Sequence, residues 1–335
     1  MKILLTTQFL RNFTGSEVVM FELAREFVSK NHDVTLAAFE LKNPLLEKLK
    51  AIPVKVMSLP QVEGKFDLIW SQHFPTIEHL VSRKISAAKI IFSSLSPYEP
   101  LESPPACFDK MTLFLANSDE TKQTMVEMGL EADQVLVFPN PAPQNFFNYE
   151  IRKNSELKKI AVVSNTVQPV LEECAQILER EGICMDFVGI KKTPKLVTPE
   201  VLGEYDAVIT IGKTVQYCLA LGIPVFVYDR FGGCGYLNKE NIERAKWFNF
   251  SGRCSGVILS AGEIASRVRE GFRHYDRNFL RGFARDHFQI EKNLNHVLRR
   301  LLLSKSEKKA FLLNNIMARR ARLPAPQVSQ GKGKV

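Results

Sequence analysis

Several things are missing from this 335-residue chain, and each absence removes a class of protein. No apolar run approaches the ~18 residues of a membrane-spanning helix. The opening MKILLTTQFL is followed by no small-residue cleavage site, so it reads as a first buried strand rather than a secretory signal. The six cysteines (Cys107, Cys174, Cys184, Cys218, Cys234 and Cys254) form no CxxC pair and no Cys/His cluster. That excludes a zinc-finger or disulfide-stapled domain and suggests reduced thiols in the cytoplasm. No GxGxxG follows the first strand, which argues against a dinucleotide dehydrogenase. Net charge on the body is small: of the formal +9, residues 301–335 hold eight Lys/Arg and one Glu, or +7, leaving +2 for residues 1–300. A nucleic-acid partner needs basic residues clustered on the folded surface, and none is expected.

What is present is a core-forming alternation. Hydrophobic residues make up 45% and charged residues 24%, enough apolar material for a sizeable core, and the length favours two domains. Apolar runs at 3–7, 34–39, 54–57, 66–71, 88–94, 113–116 and 135–138 alternate with helical periods such as 17–29 and 120–128, the latter closed by Gly129. The stretch 138–159 is rich in proline and asparagine and breaks the period. Alternation then restarts at 160–164 and runs through 225–229, and the pattern beyond Gly256 is helical. The expected fold is therefore two Rossmann-like, doubly wound α/β domains facing a cleft, with C-terminal helices. The boundaries are 1–145, a linker at 146–158, 159–303, and a basic tail at 304–335. Ligands of such sheets bind at the carboxyl ends of the strands, which two facing domains bring to one cleft.

Three segments carry candidate chemistry. In FTGSEVV, Gly15 permits close backbone approach and Ser16 can cap a helix from Glu17, leaving N–H groups for a phosphate or sugar hydroxyl. In ITIGKTVQY, Gly212 turns the chain and sets Lys213 and Thr214 at a helix start, so an anion would meet a cation, a hydroxyl and the positive helix end. This is not a Walker A loop, because Ala207 stands where its first glycine belongs. In DRFGGCGYLN, Gly232, Gly233 and Gly235 read as a loop able to wrap a sugar or phosphate, or as a tight corner. His73, just past a strand end, suits proton transfer because an imidazole titrates near neutral pH. Glu99 and Glu102, in the proline-bracketed SPYEPLESPP, are alternative carboxylates. In the tail, Phe311, Leu312 and Ile316 share a helical face beside Lys308, Lys309, Arg319 and Arg320. That pattern fits either a helix lying on anionic lipid or a solvated basic tail.

Taken in order, FTGSEVVMFELAREFVSKNHDVTL, LANSDETKQTMVEMGLEADQVLVFPNPAPQNFF, TVQYCLALGIPVFVYDRFGG and ARDHFQIEKNLNHVLRRL resemble the two-Rossmann (GT-B) glycosyltransferases, especially the family 1 and family 4 group. The resemblance implies transfer of a hexosyl group from a nucleotide-sugar to an acceptor hydroxyl, such as a glycan or lipid-linked glycan. The donor would lie on the second domain and the acceptor on the first. No cofactor is implied beyond the donor itself, and with no Asp-x-Asp present the reaction would be metal-independent. Donor contacts then fall to Asn165, Gly212, Lys213, Thr214, Arg230, Gly232 and Gly233; Gly15, Ser16 and Glu102 are left for acceptor or phosphate, and His73 or Glu99 for catalysis. The chain departs from the family pattern at Tyr217 and Ile209, where the Glu-x7-Glu pair is missing, and at SNTVQP, where an Arg/Lys pair is replaced. A binding protein without catalysis, or a sugar-nucleotide epimerase of the same fold, therefore stays open. Cytoplasmic placement, with peripheral contact to a membrane through the tail, is the expected location.

Overall fold

A computed structural model describes residues 1–151, 155–189 and 192–303. The basic tail, with its candidate lipid-facing helix, lies outside the described residues. The first half winds as β1 (Lys2–Leu10), α1 (Gly15–Ser29), β2 (Asp33–Leu41), α2 (Leu45–Leu49), β3 (Lys55–Ser58), β4 (Lys65–Gln72), α3 (Phe74–Ser82), β5 (Ser86–Ser94), β6 (Leu113–Ala116), α4 (Asp119–Glu127) and β7 (Val135–Val137). Its strands form one parallel seven-stranded sheet in the order β3-β2-β1-β4-β5-β6-β7. The second half continues with α5 (Gln144–Asn148), β8 (Lys159–Val163), α6 (Pro169–Glu179), β9 (Cys184–Val188), α7 (Pro199–Leu202), β10 (Ala207–Thr210), α8 (Lys213–Leu221), β11 (Val225–Asp229) and β12 (Gly232–Tyr236). These strands form a five-stranded sheet ordered β12-β11-β10-β8-β9, parallel except for β12. The described residues close with α9 (Ile242–Trp247), α10 (Ala261–Gly271), α11 (Arg277–His287) and α12 (Ile290–Leu303). Among the described residues no helix is long and apolar enough to cross a membrane.

The elements form where local chemistry starts and stops them. The central strands are continuous apolar runs because helices cover both faces of each sheet. Ser118 accepts a bond from the Thr121 amide to open α4, Ser260 and Glu263 make a reciprocal cap on α10, and Asp276 caps α11 through the Phe279 amide. Trp70, fully buried in β4, sets its ring edge-on to Phe27 and Phe138 and donates to Ser93 Oγ at 2.6 Å.

The passage between the sheets lies at the start of the proline- and asparagine-rich stretch 138–159. Phe138 packs in the first core, whereas Ala142, Phe146 and Phe147 pack in the second, so the chain crosses over 139–141, ahead of the 146–158 stretch expected as a linker. It crosses back at 288–290, and the two crossings are bonded: the Ala142 amide donates to Phe288 O at 2.7 Å, and the Ile290 amide to Ala142 O at 3.2 Å. Helix α12 then lies on the first core through Leu294, Val297 and Leu301, although the sequence groups it with the second domain.

The segment after β11 departs from expectation. Gly232 and Gly233 lie buried in β12, a strand paired antiparallel with β11. A Cβ at Gly233 would sit 1.9 Å from Val227 O, and one at Gly232 2.1 Å from Val257 O, so the glycines admit neighbouring backbone rather than phosphate. Gly233→Ala should therefore lower stability by at least about 2 kcal/mol. Gly282→Ala, in α11 with open space around the new methyl, should raise it by up to about 1 kcal/mol. Thermal melts of the two variants beside the parent check both signs.

Candidate functional site

In each sheet the winding direction reverses once, beside β1 and β4 in the first and beside β8 and β10 in the second. The gap between strand ends at such a reversal is where open α/β sheets hold ligands. Here both gaps open onto one cleft of about 490 Å³, bordered by Thr14 and Gly15 from the first sheet and by Asn165, Gly212, Thr214 and Arg230 from the second. Gly212 is the N-cap of α8 with φ 56° and ψ −133°, a backbone state that suits glycine. The Val215 amide donates back to Gly212 O at 3.0 Å, and the Lys213 and Thr214 amides ahead of it have no intrahelical acceptor. The ends of β8 and β9 approach so closely that a Cβ at Gly189 would lie 1.9 Å from Ser164 O. Ser164 Oγ donates to Thr166 O at 2.8 Å and accepts from the Thr166 amide at 3.2 Å, folding the Ser164–Thr166 turn along the cleft wall.

Lys213 lines the cleft but does not offer its ammonium to it. Nζ donates to Glu22 Oε2 at 2.5 Å and to Pro141 O at 2.9 Å, and lies 4.7 Å from the Tyr217 ring centre. The Tyr217 hydroxyl donates to the other oxygen of Glu22, and Phe146 stacks flat on the Tyr217 ring at 4.1 Å. One carboxylate of α1 thus joins two residues one turn apart on α8. Glu22, Lys213 and Tyr217 are all buried. Burial pushes the Glu22 carboxyl and the Tyr217 hydroxyl up from their ordinary values and pulls the Lys213 ammonium down. Glu22 had a readable signal: it interrupts the apolar run of α1 between Phe21 and Leu23.

A second bond between the halves closes the rim. Arg253 meets Glu120 of α4 through two parallel bonds, Nε to Oε1 at 2.9 Å and Nη2 to Oε2 at 2.6 Å. Its guanidinium lies 4.8 Å from the Tyr98 ring centre and 5.5 Å from that of Phe231, and the Tyr98 hydroxyl donates to Glu120 Oε1 at 3.2 Å. Neither Glu120 nor Arg253 stands out in the sequence, since each reads as an ordinary surface charge. Among the described residues no group of three or more His, Cys, Asp or Glu could hold a metal ion.

No family model matches the chain, and no curated protein matches its sequence. Solved structures do. HepE of Anabaena, in complex with UDP and glucose, aligns with a TM-score of 0.61 at 13% identity, over 90% of this chain and 99% of that one. The lipopolysaccharide outer core galactosyltransferase WaaB aligns at 0.52 and 12% identity, over 89% and 99% of the two chains. A UDP-GlcNAc 2-epimerase from Neisseria meningitidis aligns at 0.58 and 11%, over 90% and 100%. The chain has the GT-B fold.

Within that fold several expected site residues do other work. His73 is 4% exposed and does not border the cleft. Its Nδ1 accepts from the Gln8 amide at 3.1 Å and the Thr7 hydroxyl at 3.2 Å, so the ring proton sits on Nε2 and is donated to Glu102 Oε1 at 3.2 Å. Glu102 is equally buried and also accepts from the Leu95 amide at 2.9 Å. The pair ties β1 and the end of β4 to the loop after β5, and neither residue borders the cleft. Glu99 is exposed on that loop and does not border the cleft. Ser16 caps nothing: α1 begins at Gly15 with Thr14 as N-cap, and it is Glu17 Oε2 that gathers the loop, accepting the Asn12 amide at 2.5 Å. Asn165, Gly212, Thr214, Arg230 and Gly15 do come together at the cleft.

Breaking the Glu22 contact on one side should be costly, because it strands a buried charge. Glu22→Ala is expected to lose about 3–5 kcal/mol, while Glu22→Leu, Lys213→Met and Tyr217→Phe introduced together should restore most of it. Chemical denaturation of the three proteins (parent, single and triple) measures the difference.

Proposed function

We propose that the chain transfers a hexosyl group from a nucleotide-sugar to the hydroxyl of a glycan or lipid-linked glycan, without a metal ion. The reading is carried by the cleft itself, where the opening turn of α8 and the Ser164–Thr166 turn converge opposite Thr14 and Gly15. The diphosphate would meet the first-turn amides of α8, the Thr214 hydroxyl and the Arg230 guanidinium, with Asn165 as a further polar contact. Those groups would take up the charge developing on the leaving nucleotide. The acceptor would enter from the Gly15 side, and the rim bond between Arg253 and Glu120 would help exclude water, which competes as acceptor. Support comes from the GT-B fold, from the motif resemblance, and from HepE, whose structure holds UDP and glucose.

A second reading has its own support. Tyr217 replaces the family glutamate and is bonded to Glu22, and His73 is fully engaged by Glu102. Those features favour a nucleotide-sugar binder without catalysis; an epimerase of the same fold shares its donor.

A thermal-shift screen with nucleoside diphosphates and their sugars tests donor binding, since a ligand specific for the folded state raises its apparent stability. Arg230→Ala should weaken the best donor about tenfold, the loss of one charge-assisted contact. Release of nucleoside diphosphate only with acceptor present would mark a transferase, binding without turnover the second reading, and interconversion of donor epimers an epimerase. No shift with any nucleotide-sugar would sink all three.

A further inference from the structure

Away from the cleft, three arginines occupy successive turns of one face of α11. Arg277, Arg281 and Arg285 border an open hollow of about 780 Å³ with Glu150 and Asp276. Like charges four residues apart on a helix repel, so this row needs compensation. The described chain supplies little. Asp276 is committed to capping α11 and to Lys239 at 3.2 Å. Glu150 stands 3.7 Å from Arg277 Nη2 and 3.5 Å from Arg281 Nη1, and its side chain is 77% exposed. Arg285 forms no ion pair among the described residues.

The two inner guanidiniums are nevertheless held firmly. Arg281 Nη2 donates to Phe147 O at 2.7 Å and Arg277 Nη1 to Ile151 O at 3.5 Å. Their stems press on Gly222, where an added Cβ would come within 2.6 Å of Arg277 Cγ and 2.9 Å of Arg281 Cγ. Arg277 Nη2 and Arg281 Nε have no hydrogen-bond acceptor.

We propose that this hollow is an anion site for a phosphoryl group. The choice of anion follows from the donors. A carboxylate has two oxygens and saturates one guanidinium fork, whereas a phosphoryl group offers three oxygens and about two charges to a row of forks. Glu150 would swing aside, its place taken by the stronger acceptor. The site does not depend on the reaction assigned to the cleft. It does touch the segment just beyond the 139–141 crossing, through Phe147 and Ile151, so an occupant would fasten that segment to α11.

The test uses the full chain and two exposed positions, Glu150→Gln and Arg285→Gln, whose melting temperatures should match the parent. Inorganic phosphate and pyrophosphate are titrated by calorimetry, and co-sedimentation is measured with phosphatidylcholine vesicles with and without phosphatidic acid. Glu150→Gln should tighten binding about threefold and Arg285→Gln should weaken it about threefold, the scale of one exposed charge. The same ordering on phosphatidic acid vesicles assigns a lipid headgroup. That ordering with soluble phosphate alone assigns a free phosphorylated ligand. Equal affinities for all three proteins in both arms overturn the proposal.

Discussion

A single buried carboxylate sets the geometry on which the cleft depends. Glu22 reaches from α1 to bond Lys213 and Tyr217, and these two lie on the turns of α8 that follow Gly212. Removing a carboxylate and an ammonium from water is expensive, and their attraction repays it only when the remaining donors and acceptors are satisfied. Here Pro141 O accepts a second hydrogen bond from the Lys213 ammonium, and the Tyr217 hydroxyl donates to the other carboxylate oxygen. What the arrangement gains is position: the opening of α8 is held against the first sheet, so its unpaired amides face a defined space. The ammonium that looked suited to an anion has become a strut, while Arg230 still borders the cleft.

The rim bond and the paired crossings constrain the same space from other sides. Glu120 and Arg253 join the halves at the mouth, and the bonds of Ala142 to Phe288 and Ile290 join them where the backbone passes. Each uses groups from distant parts of the sequence. The resemblance implied two halves facing a cleft, with the donor on one and the acceptor on the other. The structure has them in contact through a buried ion pair, an arginine fork and two neighbouring chain crossings.

The fold was legible because its signals are local. Buried parallel strands write themselves as apolar runs, and Gly129 and Gly222 end helices where left-handed backbone is needed. Gly212 was legible for the same reason. The misread residues are those whose role depends on a partner far along the chain. Lys213 reads as a cleft cation until Glu22, from a different half, is placed beside it. His73 reads as a base until Gln8 and Glu102 take both ring nitrogens. The glycines of β12 resemble a ligand loop because a residue type that admits a phosphate also admits another strand, and only the backbone of Val227 and Val257 decides between them.

The packing of α12 bears on how the chain is made. Leu294, Val297 and Leu301 pack in the first core, so the half that leaves the ribosome first lacks part of its apolar cover until α12 has followed it. At about 5–20 residues per second, the nascent first sheet would wait about 10–30 s after β7 emerges for α12 to arrive. During that interval the groove α12 will fill stays open to water and to chaperones. A chain released before residue 290 would carry the defect in its amino-terminal half, far from the truncation.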